Sequence, residues 1–271
     1  MKEIENLKMK SFEFEGKIYR AKSKDTLRRD LGIGIHNPIV KLIKRVSGSC
    51  EDILPLLEDK SIDLVITSPP YNLGNNHHTG NKHSFAYSDN LPEEIYQSQQ
   101  ISILNYLFFK VKDNGSLFYN HKNRIKNGKS ITPYQWLLNT NWFNKQEIIW
   151  FNRSQNFDKI RFYPMTERVY WLVKDENVNL INAINHHDLF DWQAEGTDKE
   201  HKRSFPEKMP LDIISCFPNS KVVLDCYCGS GTVPKVCEKL GRKWVGIEIS
   251  EDYCRIAKER IQSEYNQLKM F

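Results

Sequence analysis

The 271-residue sequence has no apolar run long enough to cross a bilayer, and Met1–Lys10 intersperses Lys and Glu instead of showing the charged, apolar and small-residue succession of a secretory signal. A cytoplasmic protein is the expectation. Cysteine is sparse and unpaired. Cys50, Cys216, Cys226, Cys228, Cys237 and Cys254 contain no C-x-x-C spacing, so neither a zinc site nor a disulfide framework is specified. Reduced, mostly buried thiols are expected, and no metal. Repeats and low-complexity tracts are missing too, which excludes solenoids and fibrous arrays.

What is present is the mixture of an ordinary globular chain, 39% apolar and 27% charged. Its length is near the upper limit of what one core organises, so one domain with insertions is expected. The formal charge of +5 is mild, but Lys122, Arg124, Lys126 and Lys129 form a cluster that could neutralise the phosphates of a polyanion.

From Ile39 onward the pattern alternates between strand and helix. Ile62–Thr67 is a β-rich run that stops at Ser68-Pro69-Pro70, because proline cannot donate to a ladder. Pro92–Val111 reads as a helix with Ile95, Ile101, Leu104, Leu107 and Phe108 on its apolar face, and Gly115–Tyr119 as the next strand. Further strands are expected at Gln146–Phe151 and Val169–Val173, then a polar, weakly periodic insertion over Asp175–Lys208. The clearest unit comes last: Lys221–Asp225, a glycine loop, a helix near Val233–Leu240 closed by Gly241, and strand Lys243–Glu248. A strand, crossover helix and strand in that order imply a parallel sheet. Ser250 caps a final helix that turns Tyr253, Ile256, Ala257 and Ile261 inward. The expected fold is therefore α/β: a doubly wound, mostly parallel sheet with helices on both faces.

Asp225-Cys226-Tyr227-Cys228-Gly229-Ser230-Gly231-Thr232 places glycines at the carboxyl end of a strand, where the backbone can turn sharply and approach a ligand. Glu248, about 20 residues on, is spaced to accept hydrogen bonds from both hydroxyls of a ribose. Pro234 stands where the dinucleotide pattern wants a third glycine. S-adenosylmethionine has no phosphate, and its sulfonium or its amino-acid moiety suits a carboxylate at Asp225, so a methyl donor is favoured over NAD.

Thr67-Ser68-Pro69-Pro70-Tyr71-Asn72 is the most specific signal. Two prolines fix the backbone and turn carbonyls outward, where they can accept from an NH2 group. The exocyclic amine of cytosine or adenine is a poor nucleophile because its lone pair is delocalised into the ring. Acceptors for both of its hydrogens draw nitrogen toward tetrahedral geometry. The Ser68 hydroxyl and Pro69 carbonyl are assigned that role, with Pro70 stiffening the turn and Tyr71 stacking on the base. A base inside a duplex cannot reach such a pocket, so it must be flipped out, at a cost of about a few kcal/mol that stacking offsets.

These two motifs, over roughly Ser47 to Arg260, resemble the β group of DNA amino-methyltransferases, in which the catalytic tetrapeptide precedes the cofactor loop. The resemblance implies that Asp225, Tyr227, Gly229, Gly231 and Glu248 bind S-adenosylmethionine, and Cys228 and Thr232 of the same loop are expected at the cofactor site with them. It implies further that Phe205-Pro206-Glu207-Lys208 occupies the place of a segment that helps bind the methionine end. Cys226 and Cys228 stand where the family more often has Pro and a small residue. Ser at the first tetrapeptide position is similar to cytosine N4 enzymes, whereas Asp is more typical of adenine N6 enzymes. The expected partners are double-stranded DNA and, functionally, a cognate restriction endonuclease. The expected organisation is an N-terminal extension, 1–45, then one catalytic domain, 46–271, with a small target-recognition insertion near 175–204.

His77-His78 and His83 lie in a loop with no fourth metal ligand, suited to DNA contact or to a lid. Trp136, Trp142, Trp150, Phe157, Phe162, Tyr163 and Trp171 read mainly as core, with those near Arg153, Lys159 and Arg161 able to line DNA. Adenine N6 methylation, a non-catalytic nucleic-acid-binding module and an NAD-dependent dehydrogenase stay open as alternatives.

Overall fold

A computed structural model describes residues 11–14, 17–20, 50–74, 89–153, 161–182, 187–193 and 205–268. His77, His78, His83, Phe157, Lys159 and most of the expected N-terminal extension lie outside the described residues.

In chain order the elements are β1 (Ser11–Phe14) and β2 (Lys17–Arg20), an antiparallel pair; α1 (Cys50–Ile53) and a 3-10 turn (Leu54–Leu56); β3 (Ile62–Thr67); and α2 (Glu93–Lys110). Then follow β4 (Val111–His121), the small hairpin β5 (Arg124–Lys126) and β6 (Lys129–Ile131), α3 (Tyr134–Leu137), β7 (Phe143–Phe151) and β8 (Thr166–Val173). The last are β9 (Leu189–Phe190), α4 (Lys208–Ser215), β10 (Val222–Asp225), α5 (Thr232–Lys239), β11 (Lys243–Gly246) and α6 (Glu251–Leu268).

Seven strands form one sheet in the order β11-β10-β3-β4-β8-β7-β9. The run β11-β10-β3-β4 is parallel, β8 is antiparallel to both β4 and β7, and the short β9 pairs parallel to β7. Alternation along each strand divides the core into two. Val65, Leu117, Tyr119, Tyr170, Leu172 and Leu224 face α1, α2 and α3, while Leu64, Ile66, Phe118, Trp171 and Val223 face α4, α5 and α6. Helices on both faces match the doubly wound reading.

The apolar face of α2 departs from the one read in the sequence. Ile95 is 52% exposed, and the buried stripe runs through Tyr96, Gln100, Ile103, Leu104 and Leu107. That spacing is helical, but a polar Gln100 in the middle hides it from an apolar count. The reading of Asp175–Lys208 as an insertion omitted β9 and Trp192, whose ring is 2% exposed and whose indole N–H donates to Asp212. Of the aromatics read as core, Trp136, Trp142, Trp150 and Trp171 are buried, whereas Phe162 and Tyr163 are exposed. All six cysteines are buried and free. Among the described residues no helix is long and apolar enough to span a membrane, and no His, Cys, Asp and Glu group could hold a metal.

Candidate active site

Because β3, β4, β10 and β11 are parallel, their carboxyl ends share one edge of the sheet, and antiparallel β8 brings its amino end to the same edge. The chain leaves β3 toward β4 on one side and β10 toward β11 on the other, so a crevice opens between β3 and β10, where α/β sheets bind ligands. The two motifs, read 158 residues apart in the chain, meet at this switch point: Thr67 Oγ1 donates to Asp225 Oδ1 at 2.8 Å.

On the β10 side, Asp225 is 2% exposed and its Oδ1 also accepts from the Tyr227 backbone N–H at 3.1 Å. Burial pushes its carboxyl up to about 7, with the nearby Glu248 charge acting in the same direction. Glu248 accepts from the backbone N–H groups of Gly229 and Ser250, each at 2.8 Å, which ties the end of β11 to the glycine loop. Two bonds leave part of a carboxylate's roughly four acceptor positions for hydroxyl donors. Among the described residues the buried Thr232 hydroxyl, at the start of α5, has no partner. Two carboxylates at adjacent strand ends and an orphaned hydroxyl fit the ribose, cation and amino-acid groups of S-adenosylmethionine.

The glycines have reasons the sequence did not reveal. Gly231 has φ +82°, and a Cβ there would lie 2.8 Å from the Ala257 Cβ, so the close approach it permits is to α6. Cys228 packs where Gly246 lacks a side chain, since a Cβ on Gly246 would sit 2.8 Å from the Cys228 sulfur. Glu207, in the Phe205–Lys208 segment, bonds Lys235 and Lys239 at 2.7 Å each. Burial opposes its ionisation, but these ammonium groups outweigh that and hold its carboxyl below the usual range. It braces α4 against α5.

On the β3 side, Pro69 is buried, and Ser68, Pro70 and Tyr71 are half-buried. The Pro70 carbonyl accepts from the Tyr96 hydroxyl at 2.7 Å. Tyr96 is also 2.7 Å from His121 Nε2, and burial holds that imidazole neutral by lowering it to about 3. Among the described residues none donates to the Pro69 carbonyl. Asn72, at φ +57°, bonds the Leu91 backbone through both ends of its amide at 2.7 and 3.0 Å. With its N–H on Asp89, it clasps the two ends of the segment between Gly74 and Asp89.

Tyr71 packs its ring on His121, centroids 4.5 Å apart, and turns its hydroxyl inward. That oxygen lies 2.8 Å from Ser68 Oγ, 2.8 Å from Asn120 Oδ1 and 2.9 Å from Glu167 Oε2. Asn120 and Glu167 were not foreseen, since no local motif marks them.

Arg124 does not belong to the cationic cluster read from the sequence. It is 5% exposed, forms a bidentate pair with Glu93 at 2.7 and 2.8 Å, and lies over the Tyr96 ring. His187 and Asp188 line a cavity of about 440 Å³ with Trp171, Phe190 and Trp192, and none of Ser68–Tyr71, Asp225–Thr232 and Glu248 is among its lining residues.

The sheet order, with its crevice between β3 and β10, defines the Rossmann-like fold of S-adenosylmethionine-dependent methyltransferases. More narrowly, the chain belongs to the N6/N4 family described as DNA methylase, which matches residues 62–259. It is 28% identical to the type II methyltransferase M.HpaI of Haemophilus parainfluenzae over 240 residues, covering 78% of this chain and 71% of that protein. It is 25% identical to M.ScaI of Streptomyces caespitosus over 288 residues, covering 92% and 91%. Among solved structures, the cytosine-N4-specific PvuII DNA methyltransferase superposes with a TM-score of 0.62 at 22% identity, covering 82% of this chain and 90% of that one. The M1.HpyAVI–SAM complex follows with a TM-score of 0.54 at 21% identity, covering 79% and 96%.

Proposed function

We propose that this DNA methyltransferase modifies the N4 amino group of a cytosine flipped out of double-stranded DNA, as the modifying half of a type II restriction-modification pair. S-adenosylmethionine supplies an electrophilic methyl group. The observation that carries the reading is the placement of Ser68 and Pro69 at the end of β3, one hydrogen bond from Asp225 through Thr67. The Pro69 carbonyl, with the Pro70 carbonyl already taken by Tyr96, is the backbone acceptor left for one amino hydrogen. The Ser68 hydroxyl accepts the other. The Tyr71 ring, held by its hydroxyl and by His121, offers its remaining face to the base.

Asp225, Tyr227, Cys228, Gly229, Gly231, Thr232 and Glu248 form the cofactor side. Here Asp225 and Glu248 supply charge and acceptors, and Gly231 and Cys228 hold the loop against α6 and β11. Ser at position 68, together with the N4-specific structural neighbour, supports cytosine. Names of relatives as type II methyltransferases support pairing with an endonuclease that cuts the same sequence.

The test is incubation with isotopically labelled S-adenosylmethionine and whole-genome-amplified DNA, which carries no methylated bases, followed by nucleoside digestion and mass spectrometry. N4-methylcytosine that disappears with Ser68→Ala is the expected product. N6-methyladenine would retain the chemistry and replace the base. A wild-type digest with neither would overturn the reading.

A further inference from the structure

Tyr71 has one hydroxyl proton and three oxygens around it. Asn120 donates its amide N–H to the Arg168 carbonyl at 3.0 Å, which leaves its Oδ1 facing Tyr71 purely as an acceptor. Glu167 Oε2 is on the same side. Whichever of these two takes the Tyr71 proton, Tyr71 has none left for Ser68, so Ser68 must donate to Tyr71. The Ser68 lone pairs are then free to face outward, as acceptance from an amino group requires.

From this chain of contacts we infer a proton relay, Ser68 to Tyr71 to Glu167, with Glu167 as the terminal acceptor for the proton that the target amine must lose. The inference rests on the reading of Ser68 as the acceptor for that amine. Methylation forms a nitrogen–carbon bond, breaks the donor's sulfur–carbon bond and leaves the nitrogen with one proton too many. That proton passes to Ser68 Oγ as the Ser68 proton passes to Tyr71 Oη and the Tyr71 proton to Glu167 Oε2, converting carboxylate to carboxylic acid. The network accommodates both forms. Ionised Glu167 accepts from Tyr71; protonated Glu167 donates to Tyr71, whose own proton then goes to Asn120.

Around Glu167 are Tyr71 from the catalytic turn, Asn120 and Lys122 from the end of β4, and Asn152, whose amide donates to Oε1 at 3.0 Å. Burial raises the Glu167 carboxyl above its usual range, against the opposing hydrogen bonds and the Lys122 charge. Half-buried rather than sealed, it can return its proton to solvent between turnovers. Glu167 is thus a positioning residue that acts through Tyr71, and the Tyr71 hydroxyl has a role separate from that of its ring.

The experiment measures single-turnover transfer to whole-genome-amplified DNA against pH, at S-adenosylmethionine concentrations that saturate at every pH, for wild type, Ser68→Ala, Glu167→Gln, Tyr71→Phe and the Glu167→Gln/Tyr71→Phe double variant. The wild-type rate is expected to rise as pH climbs through the Glu167 titration. Glu167→Gln should be slower by about 100-fold, the usual scale of one acid–base group, with a flat profile and unchanged KM for DNA. Tyr71→Phe should match it, and the double variant should be no slower than either. Infrared spectra of the free enzyme should show a carboxylic-acid carbonyl band that titrates and is missing in Glu167→Gln. Wild-type transfer that Ser68→Ala abolishes but Glu167→Gln and Tyr71→Phe leave unchanged would overturn the relay alone. Equal pH profiles in wild type and Glu167→Gln, at matched melting temperatures, would do the same. A wild-type digest without methylated amines would remove the underlying reading and the relay together.

Discussion

Thr67 and Asp225, the last residues of adjacent parallel strands, share a buried 2.8 Å hydrogen bond that joins the Ser68–Tyr71 turn to the glycine loop. Thr67 is 1% exposed, so Thr67→Val preserves its shape and removes only the donor. Hydrogen bonds to charged groups contribute about 1.5–3 kcal/mol, so the affinity for S-adenosylmethionine should weaken by roughly tenfold or more at neutral pH. Titration calorimetry checks this, with binding of non-specific DNA as the property that should not change. An unaltered cofactor affinity would mean that the bond is scaffolding only.

The same carboxylate predicts a pH dependence. Asp225 titrates near 7 in the folded protein, against a usual 3.8, chiefly through burial. Between those values the unfolded chain has released the proton and the native one has not, so stability falls as pH rises through that window and levels off above it. A cationic ligand selects the ionised form, so its affinity should tighten by about tenfold from about pH 6 to about pH 8, with proton release on binding. Calorimetry in buffers of differing ionisation heat measures the released protons directly. A pH-independent affinity would show that no cation of the ligand lies against Asp225.

Gly231 and Gly241 separate strain from crowding. Both have positive φ, +82° and +62°, but a Cβ at Gly241 meets nothing within 4 Å, whereas one at Gly231 strikes Ala257. Gly241→Ala should therefore cost about 1–2 kcal/mol of backbone strain, and Gly231→Ala should cost more by the overpacking penalty of about 1–3 kcal/mol. Ala257→Gly placed in the Gly231→Ala background should recover part of the difference. Chemical denaturation of the four proteins decides it. Equal costs at the two glycines would refute the helix contact as the reason for Gly231.

The motifs that the fold brings to one edge of the sheet were legible in the sequence: the proline-locked turn at Ser68–Tyr71, the glycine loop after Asp225, and Glu248 one strand later. So was the fold, because hydrophobic alternation and the β10-α5-β11 unit imply a parallel sheet before any contact is known. The supporting residues were not legible, because register alone brings them in. Glu167 reaches Tyr71 only because β8 runs antiparallel beside β4, across 96 residues of chain. Arg124 looked like a phosphate contact among its lysine neighbours, and only the position of Glu93 on α2 shows that it is spent in an internal ion pair. Tyr96, which fixes the Pro70 carbonyl, escaped because the inward stripe of α2 contains Gln100.

The basic cluster can now be divided, and the division can be tested. The β5–β6 hairpin turns through Asn127 and Gly128, both at positive φ, and leaves Lys126 and Lys129 exposed at its tip. Arg124 lies beneath them, paired with Glu93, whose Oε2 is also 4.0 Å from the Lys126 ammonium. If the hairpin tip meets DNA phosphates, Lys126→Ala/Lys129→Ala should lower the slope of log affinity against log salt by about 2, since each phosphate contact contributes about 0.9. Arg124→Gln should leave that slope alone and instead destabilise the fold, because it removes the bidentate partner of the half-buried Glu93 carboxylate, which keeps only Gln97 and Lys126 beside it. Fluorescence anisotropy at several salt concentrations, beside thermal melts, distinguishes the two effects. A salt slope that moves with Arg124→Gln and not with the lysine pair would show that the ion pair opens on DNA and that the hairpin tip stays in solvent.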